Sequence, residues 1–134
     1  MASFTHRHRV RYHETDSQQF VFNSRYMEWI DVAMTEYFRS LGWSYPEMVR
    51  SGFDASVVSC TLTFKRPARL DDLIDIDVDC TRVGSSSFEM HYRVRRGAEV
   101  LAEVVSTNVN VDIENERAAP IPPQFAAALR RSAR

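Results

Sequence analysis

A long amphipathic segment is the clearest pattern in the chain. From Tyr26 to Leu41, apolar residues recur at i, i+1, i+4, i+7, i+8, i+11, i+12 and i+15, which places them on one face of a helix. Asn23 is a residue type that often caps a helix, and Gly42 suits the left-handed position that ends one. The pattern therefore predicts a helix of about five turns that begins near Asn23.

Alternation of apolar and polar residues predicts strands on both sides of this helix. Residues 4–15 are expected to form the first strand, with His8, Val10 and Tyr12 on one face. A capping pattern at Ser44 predicts a short second helix. Further strands are expected over the ranges 58–64, 74–80, 88–94 and 100–112.

Two of these strands are expected to form a hairpin with matched charges. If residues 84–86 form its loop, acidic side chains lie opposite basic ones, which favours this register over its neighbours. These pairs explain the spacing of the aspartates better than a cation site does. The expected pairs are Asp75 with Arg95, Asp77 with Arg93, and Asp79 with His91.

The order of the elements predicts the fold class. One strand, a long helix and a short helix precede a four-strand antiparallel meander. A helix with one apolar stripe and strands with one apolar face each pack most simply as a sheet curved around the helix. We therefore predict an α+β fold, with about five antiparallel strands around one long central helix. With 134 residues, the chain is expected to be a single domain over residues 1–134.

Composition and charge exclude several classes of protein. The 17 basic and 18 acidic residues leave a net charge of −1, so no overall field favours nucleic acid. No apolar run approaches the roughly 20 residues needed to span a membrane. The only cysteines, Cys60 and Cys80, lie in separate strand-like runs. A soluble protein of the reducing cytoplasm is the expectation.

The junction between the first strand and the long helix is the best candidate site. A helix N-terminus presents unsatisfied amide donors and the positive end of a dipole, which suit a developing oxyanion. In the preceding loop, Asp16 could attack a carbonyl carbon or deprotonate a water. Such a site would carry out acyl transfer. The alternative is that Asp16 only accepts hydrogen bonds from turn amides, which is the commoner role of a loop aspartate.

Two motifs resemble the 4-hydroxybenzoyl-CoA thioesterase family. The family signature has an aspartate, a glycine three residues later, a valine five later and a tyrosine ten later, at the start of a long helix. Asp16, Val21 and Tyr26 match it. Residues 66–72 are similar to the Pro-Ala-Arg-x-Asp-Asp segment that begins a strand in small bacterial acyl-CoA thioesterases of that family. With the order of elements, the resemblance covers residues 5–125.

The resemblance implies a hot-dog fold that hydrolyses acyl-CoA or acyl-carrier-protein thioesters without a metal or cofactor. It also implies a homodimer or homotetramer with active sites at the subunit interfaces. Carried over by position, Asp16 is the nucleophile or general base, and the helix N-terminus near Asn23 provides the oxyanion donor. The residues expected to contact the substrate are Gln19, Val21, Phe22, Tyr26, Lys65 and Arg66.

One departure from the family signature keeps a second function open. Gln19 stands where the family has glycine. If φ is positive at this position, glutamine is strained there or the loop has another shape. Gln18 and Gln19 could instead donate hydrogen bonds to the substrate. The alternative function is therefore a non-catalytic acyl-CoA-binding sensor or assembly module on the same fold.

Other sites are less favoured. His13 could act as a general acid, but it is also explained as an exposed strand residue. A hydratase would need a histidine facing the acid, and the predicted helix contains none. His6 and His8 lack a third zinc ligand nearby. An uncharged polar face on the outside of the sheet would suit a subunit interface. We expect that face to consist of Ser59, Thr61, Thr63, Ser106, Asn108 and Asn110.

Overall fold

The protein, described from a computed structural model over residues 2–132, is built from five long strands and three helices. A short 3-10 helix, Tyr12–Glu14, and a two-residue strand, β6 (Arg117–Ala118), complete the elements of this range. The long elements in chain order are β1 (Phe4–Arg9), α1 (Arg25–Ser40), α2 (Tyr45–Arg50), β2 (Ala55–Phe64), β3 (Leu73–Val83), β4 (Ser87–Arg96), β5 (Glu99–Asp112) and α3 (Pro123–Ser132).

The strands form one antiparallel sheet in the order β1-β3-β4-β5-β2. The predicted four-strand meander is therefore wrong, because only β3, β4 and β5 follow one another across the sheet. Residues 65–72 carry the chain from the end of β2 at one edge to β3, beside β1. The predicted α+β architecture, a sheet curved around one long helix in the hot-dog arrangement, is confirmed.

Helix α1 fills the concave side of the sheet. Its end is the one predicted, because Gly42 has φ of 95° and donates its N–H to the Arg39 carbonyl at 2.9 Å. The N–H of Trp43 donates to the Phe38 carbonyl at 3.0 Å, which completes a Schellman motif. The helical residues that it buries are Tyr26, Trp29, Ile30, Ala33, Tyr37 and Phe38.

The start of α1 differs from the prediction. Asn23 does not cap the helix; the N-cap is Ser24, whose backbone is already helical and whose side chain makes no capping bond. Backbone carbonyls replace the side-chain cap, since the Arg25 amide donates to the Phe22 carbonyl at 2.9 Å and the Tyr26 amide to the Asn23 carbonyl at 3.3 Å. A backbone turn therefore leads directly into the helix.

Strand β1 is shorter than predicted. It ends at Arg9, and the chain then bends into the 3-10 helix, so Tyr12 is 81% exposed instead of sharing a buried face with His8 and Val10. Val10 still pairs with the segment before β3, since its amide donates to the Asp72 carbonyl at 2.9 Å, and the chain leaves the sheet after it.

The charged register of the β3–β4 hairpin is confirmed. Asp75 lies opposite Arg95, Asp77 opposite Arg93, and Asp79 opposite His91. The Arg95 Nε–Asp77 Oδ2 distance is 2.8 Å. No cluster of three or more metal-binding side chains exists in the range 2–132. Within the same range, no helix is long and apolar enough to cross a membrane.

The polar residues of β5 face inward, contrary to the prediction. Ser106, Asn108 and Asn110 are fully buried, because the register of β5 places them on the same face as Val104, towards α1. Asn110 accepts the Asp54 amide at 2.8 Å and donates to two backbone carbonyls. On β2, by contrast, Ser59, Thr61 and Thr63 are exposed.

Candidate active site

Asp16 lies at the start of a tight hairpin between the 3-10 helix and α1. The Asp16 amide donates to the Phe20 carbonyl at 2.9 Å, and the Asp16 carbonyl accepts the Gln19 amide at 2.9 Å. Next to these bonds, Thr15 and Val21 form an antiparallel β-bridge. Gln19 has φ of 67°, the left-handed conformation that closes such a three-residue loop and normally favours glycine. Gln19 thus has a positive φ at the position where the family signature has glycine, at the cost of backbone strain.

The carboxylate of Asp16 is held by the backbone of its own loop. Its Oδ1 atom accepts the Gln18 amide at 2.8 Å and the Phe20 amide at 3.4 Å. This is the turn role expected of a loop aspartate. Within the described part of the chain, Oδ2 accepts no hydrogen bond, so one oxygen fixes the orientation of the group while the other is available for chemistry.

Two backbone donors are free where the hairpin meets α1. The amides of Arg25, Tyr26 and Met27 all donate to backbone carbonyls. Over residues 2–132, the amides of Asn23 and Ser24 donate to no protein acceptor, and the exposed Asn23 side chain makes no hydrogen bond. The donors available to an oxyanion are therefore these two backbone amides.

A cleft of about 360 Å³ brings most of the predicted site residues together. Gln19 is the exception: it lines a second depression, of about 680 Å³, on the other side of the hairpin with Tyr12 and Arg69. Asp16 borders both. The residues that line the first cleft are Asp16, Gln18, Phe20, Val21, Phe22, Asn23, Tyr26, Phe64, Lys65, Arg66 and Pro67.

The two sequence motifs meet at this cleft, although about fifty residues separate them. The Val21 amide donates to the Ala68 carbonyl at 2.9 Å, and Phe20 bridges Arg69. The Arg69 guanidinium lies 4.7 Å from the centre of the Phe20 ring. The segment 66–72 therefore forms the wall opposite the Asp16 hairpin.

Residues 10–129 match the thioesterase-like superfamily. The chain belongs to this superfamily. It is 25% identical to an acyl-CoA thioesterase of Haemophilus influenzae over 90% of each chain. It is 26% identical to the 4-hydroxybenzoyl-CoA thioesterase of a Pseudomonas species, over 92% of this chain and 94% of the relative. The crystal structure of a Thermus thermophilus protein, 30% identical, covers 96% of this chain and 98% of its own, with a TM-score of 0.88.

The predicted resemblance to the 4-hydroxybenzoyl-CoA thioesterase family and the prediction of a thioesterase are thereby confirmed. In this thioesterase, Tyr26 forms the buried floor of the cleft. Its ring packs 5.1 Å from Phe64 and 4.8 Å from Trp29, measured between ring centres. Burial raises the pKa of the Tyr26 hydroxyl.

The basic residues of the cleft lie at its rim. Lys65 is 3.7 Å from a Glu103 carboxylate oxygen, and Arg66 Nε is 3.0 Å from Glu99 Oε2. Both basic side chains are exposed, so these surface pairs are weak and can exchange for a stronger anion. Two cationic side chains, Lys65 and Arg66, therefore line the same cleft as Asp16.

A buried carboxylate behind the hairpin, Glu14, was missed from the sequence. It is 5% exposed, and its oxygens accept hydrogen bonds from the Arg11 amide and the Trp29 indole, while one of them pairs with His8. Burial alone would raise the pKa of Glu14, but these hydrogen bonds outweigh it and lower the pKa. The predicted strand over residues 4–15 would have put Glu14 on the same face as His8 and Val10, but the structure buries it through the 3-10 helix instead, since Tyr12 on that face is exposed.

The remaining candidates are not assembled into a site. His13 is exposed and borders the outer depression. His8 is engaged with Glu14. Cys60 is half-buried with its sulfur 3.5 Å from Met27 Sδ, and burial raises the pKa of its thiol, which opposes its use as a nucleophile.

Proposed function

We propose that this thioesterase hydrolyses acyl-CoA thioesters in the cleft between the Asp16 hairpin and the N-terminus of α1. The observation that carries the proposal is the shared cleft: Asp16, whose carboxylate has one unengaged oxygen, and Asn23, whose amide is free, line the same space of about 360 Å³. The second free amide, of Ser24, follows Asn23 directly in the chain. The superfamily and the acyl-CoA thioesterase among its relatives support the choice of substrate.

In the proposed reaction, the thioester carbonyl oxygen accepts hydrogen bonds from the free amides, which stabilise the negative charge that develops on it. Asp16 acts in one of two ways. As a general base it removes a proton from water, and the hydroxide adds to the carbonyl carbon. As a nucleophile it adds through Oδ2 and forms an anhydride, which water then hydrolyses. In both routes the C–S bond breaks, the thiolate leaves and takes up a proton, and the free acid remains.

The rim residues Lys65 and Arg66 would bind the phosphates of CoA. Arginine and lysine form charge-assisted contacts with phosphate, and a polyanion competes well for groups whose present partners are exposed carboxylates. An acyl-carrier protein carries the same thioester with one phosphate, so the two substrates should respond differently to loss of these charges. Lys65→Ala with Arg66→Ala should raise KM more for acyl-CoA than for the carrier protein.

The test is the hydrolysis of a panel of acyl-CoA thioesters by the wild type and by Asp16→Ala. The release of free thiol measures the rate. Asp112→Ala is a matched control, because Asp112 also accepts a backbone amide in a turn, at the far end of β5. We expect Asp16→Ala to lower kcat by about 10³-fold or more and the control to leave it within about twofold. Activity that survives Asp16→Ala would exclude the proposed role. No turnover of any thioester, with tight binding of acyl-CoA, would favour the sensor.

Two copies are proposed to pair through β2. This strand lies at the edge of the sheet, and its ten residues carry no charge, whereas β1 at the opposite edge carries Arg7 and Arg9. Edge strands that stay unpaired are usually protected by charge or proline, so an uncharged edge of this length is typical of an interface. Sedimentation should show a dimer or tetramer of the wild type, and Thr61→Pro should shift it towards monomer.

A further inference from the structure

We infer that Glu14 is a positioning residue, which holds the Asp16 hairpin in register with the free amides at the start of α1. The inference rests on the proposed function, since it concerns the relative placement of the proposed nucleophile or base and the proposed oxyanion donors. Glu14 borders neither the cleft nor the outer depression, so it does not touch the substrate.

The backbone of Glu14 joins the two halves of the site. Its carbonyl accepts the Phe22 amide at 2.9 Å. Asp16 follows Glu14 by two residues, and Asn23 follows Phe22 directly. This hydrogen bond, with the neighbouring Thr15–Val21 bridge, is therefore the closed base of the hairpin, from which both catalytic segments extend.

The side chain of Glu14 fastens that base to the rest of the fold. Oε1 accepts the Arg11 amide at 2.7 Å and lies 2.9 Å from His8 Nε2 on β1. Oε2 accepts the Trp29 indole N–H at 2.7 Å on α1. One buried carboxylate thus connects the hairpin to the first strand and to the helix whose N-terminus supplies the oxyanion donors.

The donors also explain why a carboxylate is needed at this position. An ionised carboxylate is costly to bury and persists only where donors surround it. The Arg11 amide and the Trp29 indole reach different oxygens of Glu14, and a glutamine of the same size has an NH2 donor in place of one of them, so in this geometry it accepts from only one of the two. Glu14→Gln therefore leaves a buried donor unpaired, and the base of the hairpin must move to satisfy it.

The contacts of Trp29 extend this link to the substrate cleft. Its indole packs 5.2 Å from the His8 ring and 4.8 Å from the ring of Tyr26, the floor of the cleft, measured between centres. The indole N–H is the only polar group of this side chain, and it donates a hydrogen bond to Glu14. Trp29→Phe keeps an aromatic ring at this position and removes the hydrogen bond, together with part of the apolar packing.

The test measures kcat and KM separately for the wild type, Glu14→Gln and Trp29→Phe with an acyl-CoA that the wild type hydrolyses. A positioning role predicts that kcat falls by about 10–100-fold in Glu14→Gln and by a smaller factor in Trp29→Phe, with KM within about threefold of the wild type. The reason is that displacement of Asp16 against the oxyanion donors impairs the transition state, while the rim that binds CoA is unchanged.

Asp75→Asn is the matched control. Asp75 is also a buried carboxylate fixed by hydrogen bonds, to Arg7, but it lies on β3 away from both depressions. It should lower the unfolding temperature and leave kcat within about twofold of the wild type. An equal fall of kcat in this variant would show that loss of stability alone slows the enzyme, and would overturn the inference.

The remaining outcomes separate this inference from the proposed function. If Glu14→Gln does not fold, Trp29→Phe decides: an unchanged kcat overturns the positioning role, and a lowered kcat with unchanged KM supports it. If the wild type is active, Asp16→Ala inactive and both positioning variants fully active, only the inference on Glu14 fails. If the wild type hydrolyses no thioester, the proposed function and the positioning role both fail.

Discussion

Replacement of Gln19 by glycine should stabilise the protein. Gln19 has φ of 67°, in the left-handed region, where an L-residue with a side chain is disfavoured by roughly 1–2 kcal/mol. Glycine adopts this conformation without that cost, but it loses roughly 0.5–1 kcal/mol more in backbone entropy on folding. The difference lies between about 0 and 1.5 kcal/mol, centred on a gain of about 0.8 kcal/mol in the free energy of unfolding, or about 3 °C in Tm for a chain of this size.

The neighbouring glutamine provides the control. Gln18 lies in the same loop but does not have positive φ, and its amide, which binds Asp16 Oδ1, is retained in any variant other than proline. Gln18→Gly should therefore destabilise the protein by roughly 0.5–1 kcal/mol, through entropy alone.

Urea unfolding of the wild type and both variants, at one fixed protein concentration, measures these differences. Opposite signs for the two substitutions are the expected result. If Gln19→Gly lowers stability as much as Gln18→Gly does, the loop does not carry the strain assigned to it. Gln19→Gly should also keep full thioesterase activity, because the shape of the loop does not change.

Two further predictions concern stability. The hydrogen bond from Arg7 lowers the pKa of Asp75, and the charges of Arg7 and Arg95 add to this effect, whereas burial opposes it. The pKa of Asp75 is therefore lower in the folded than in the unfolded protein. The ionised carboxylate stabilises the fold fully above the unfolded pKa, and this stabilisation is lost as the pH falls through the folded pKa. The difference in unfolding free energy between the wild type and Asp75→Asn, measured in urea from pH 7 to pH 3, should shrink as the pH falls; a constant difference would contradict this. Asn110→Ala removes the acceptor of the Asp54 amide and two hydrogen bonds that Asn110 donates. It should lower the free energy of unfolding, measured in urea, by about 2–3 kcal/mol. The exposed substitution Asn115→Ala should lower it by less than about 1 kcal/mol.

The elements that could be predicted from the sequence are those with short-range causes. The stripe on α1 and the Schellman end at Gly42 depend on residues within a few turns of one another. The register of β3 and β4 depends on one short loop and on charges that face each other, so Asp75 and Arg95 could be paired correctly in advance. The Asp16 loop is local as well, and the positive φ of Gln19 follows from the position that it occupies in the turn.

Tertiary structure decided the features in which distant segments compete for the same partners. Nothing local says that β2 pairs with β5 rather than with β3, because either neighbour would satisfy the backbone hydrogen bonds of one edge of β2. Asn110 looks like a surface residue in the sequence, yet backbone groups near Gly52, Asp54 and Pro120 converge on it and satisfy it inside.

The candidate site shows the same division. Asp16 and the start of the helix could be recognised in the sequence, and the likeness of two motifs to the thioesterase family indicated an acyl-transfer role for Asp16. Their joint position depends on Glu14, whose three donors come from β1, the bend after it and α1. A carboxylate is stable when buried only if such donors are brought to it, and the sequence alone could not show that they would be, because the fold places them there.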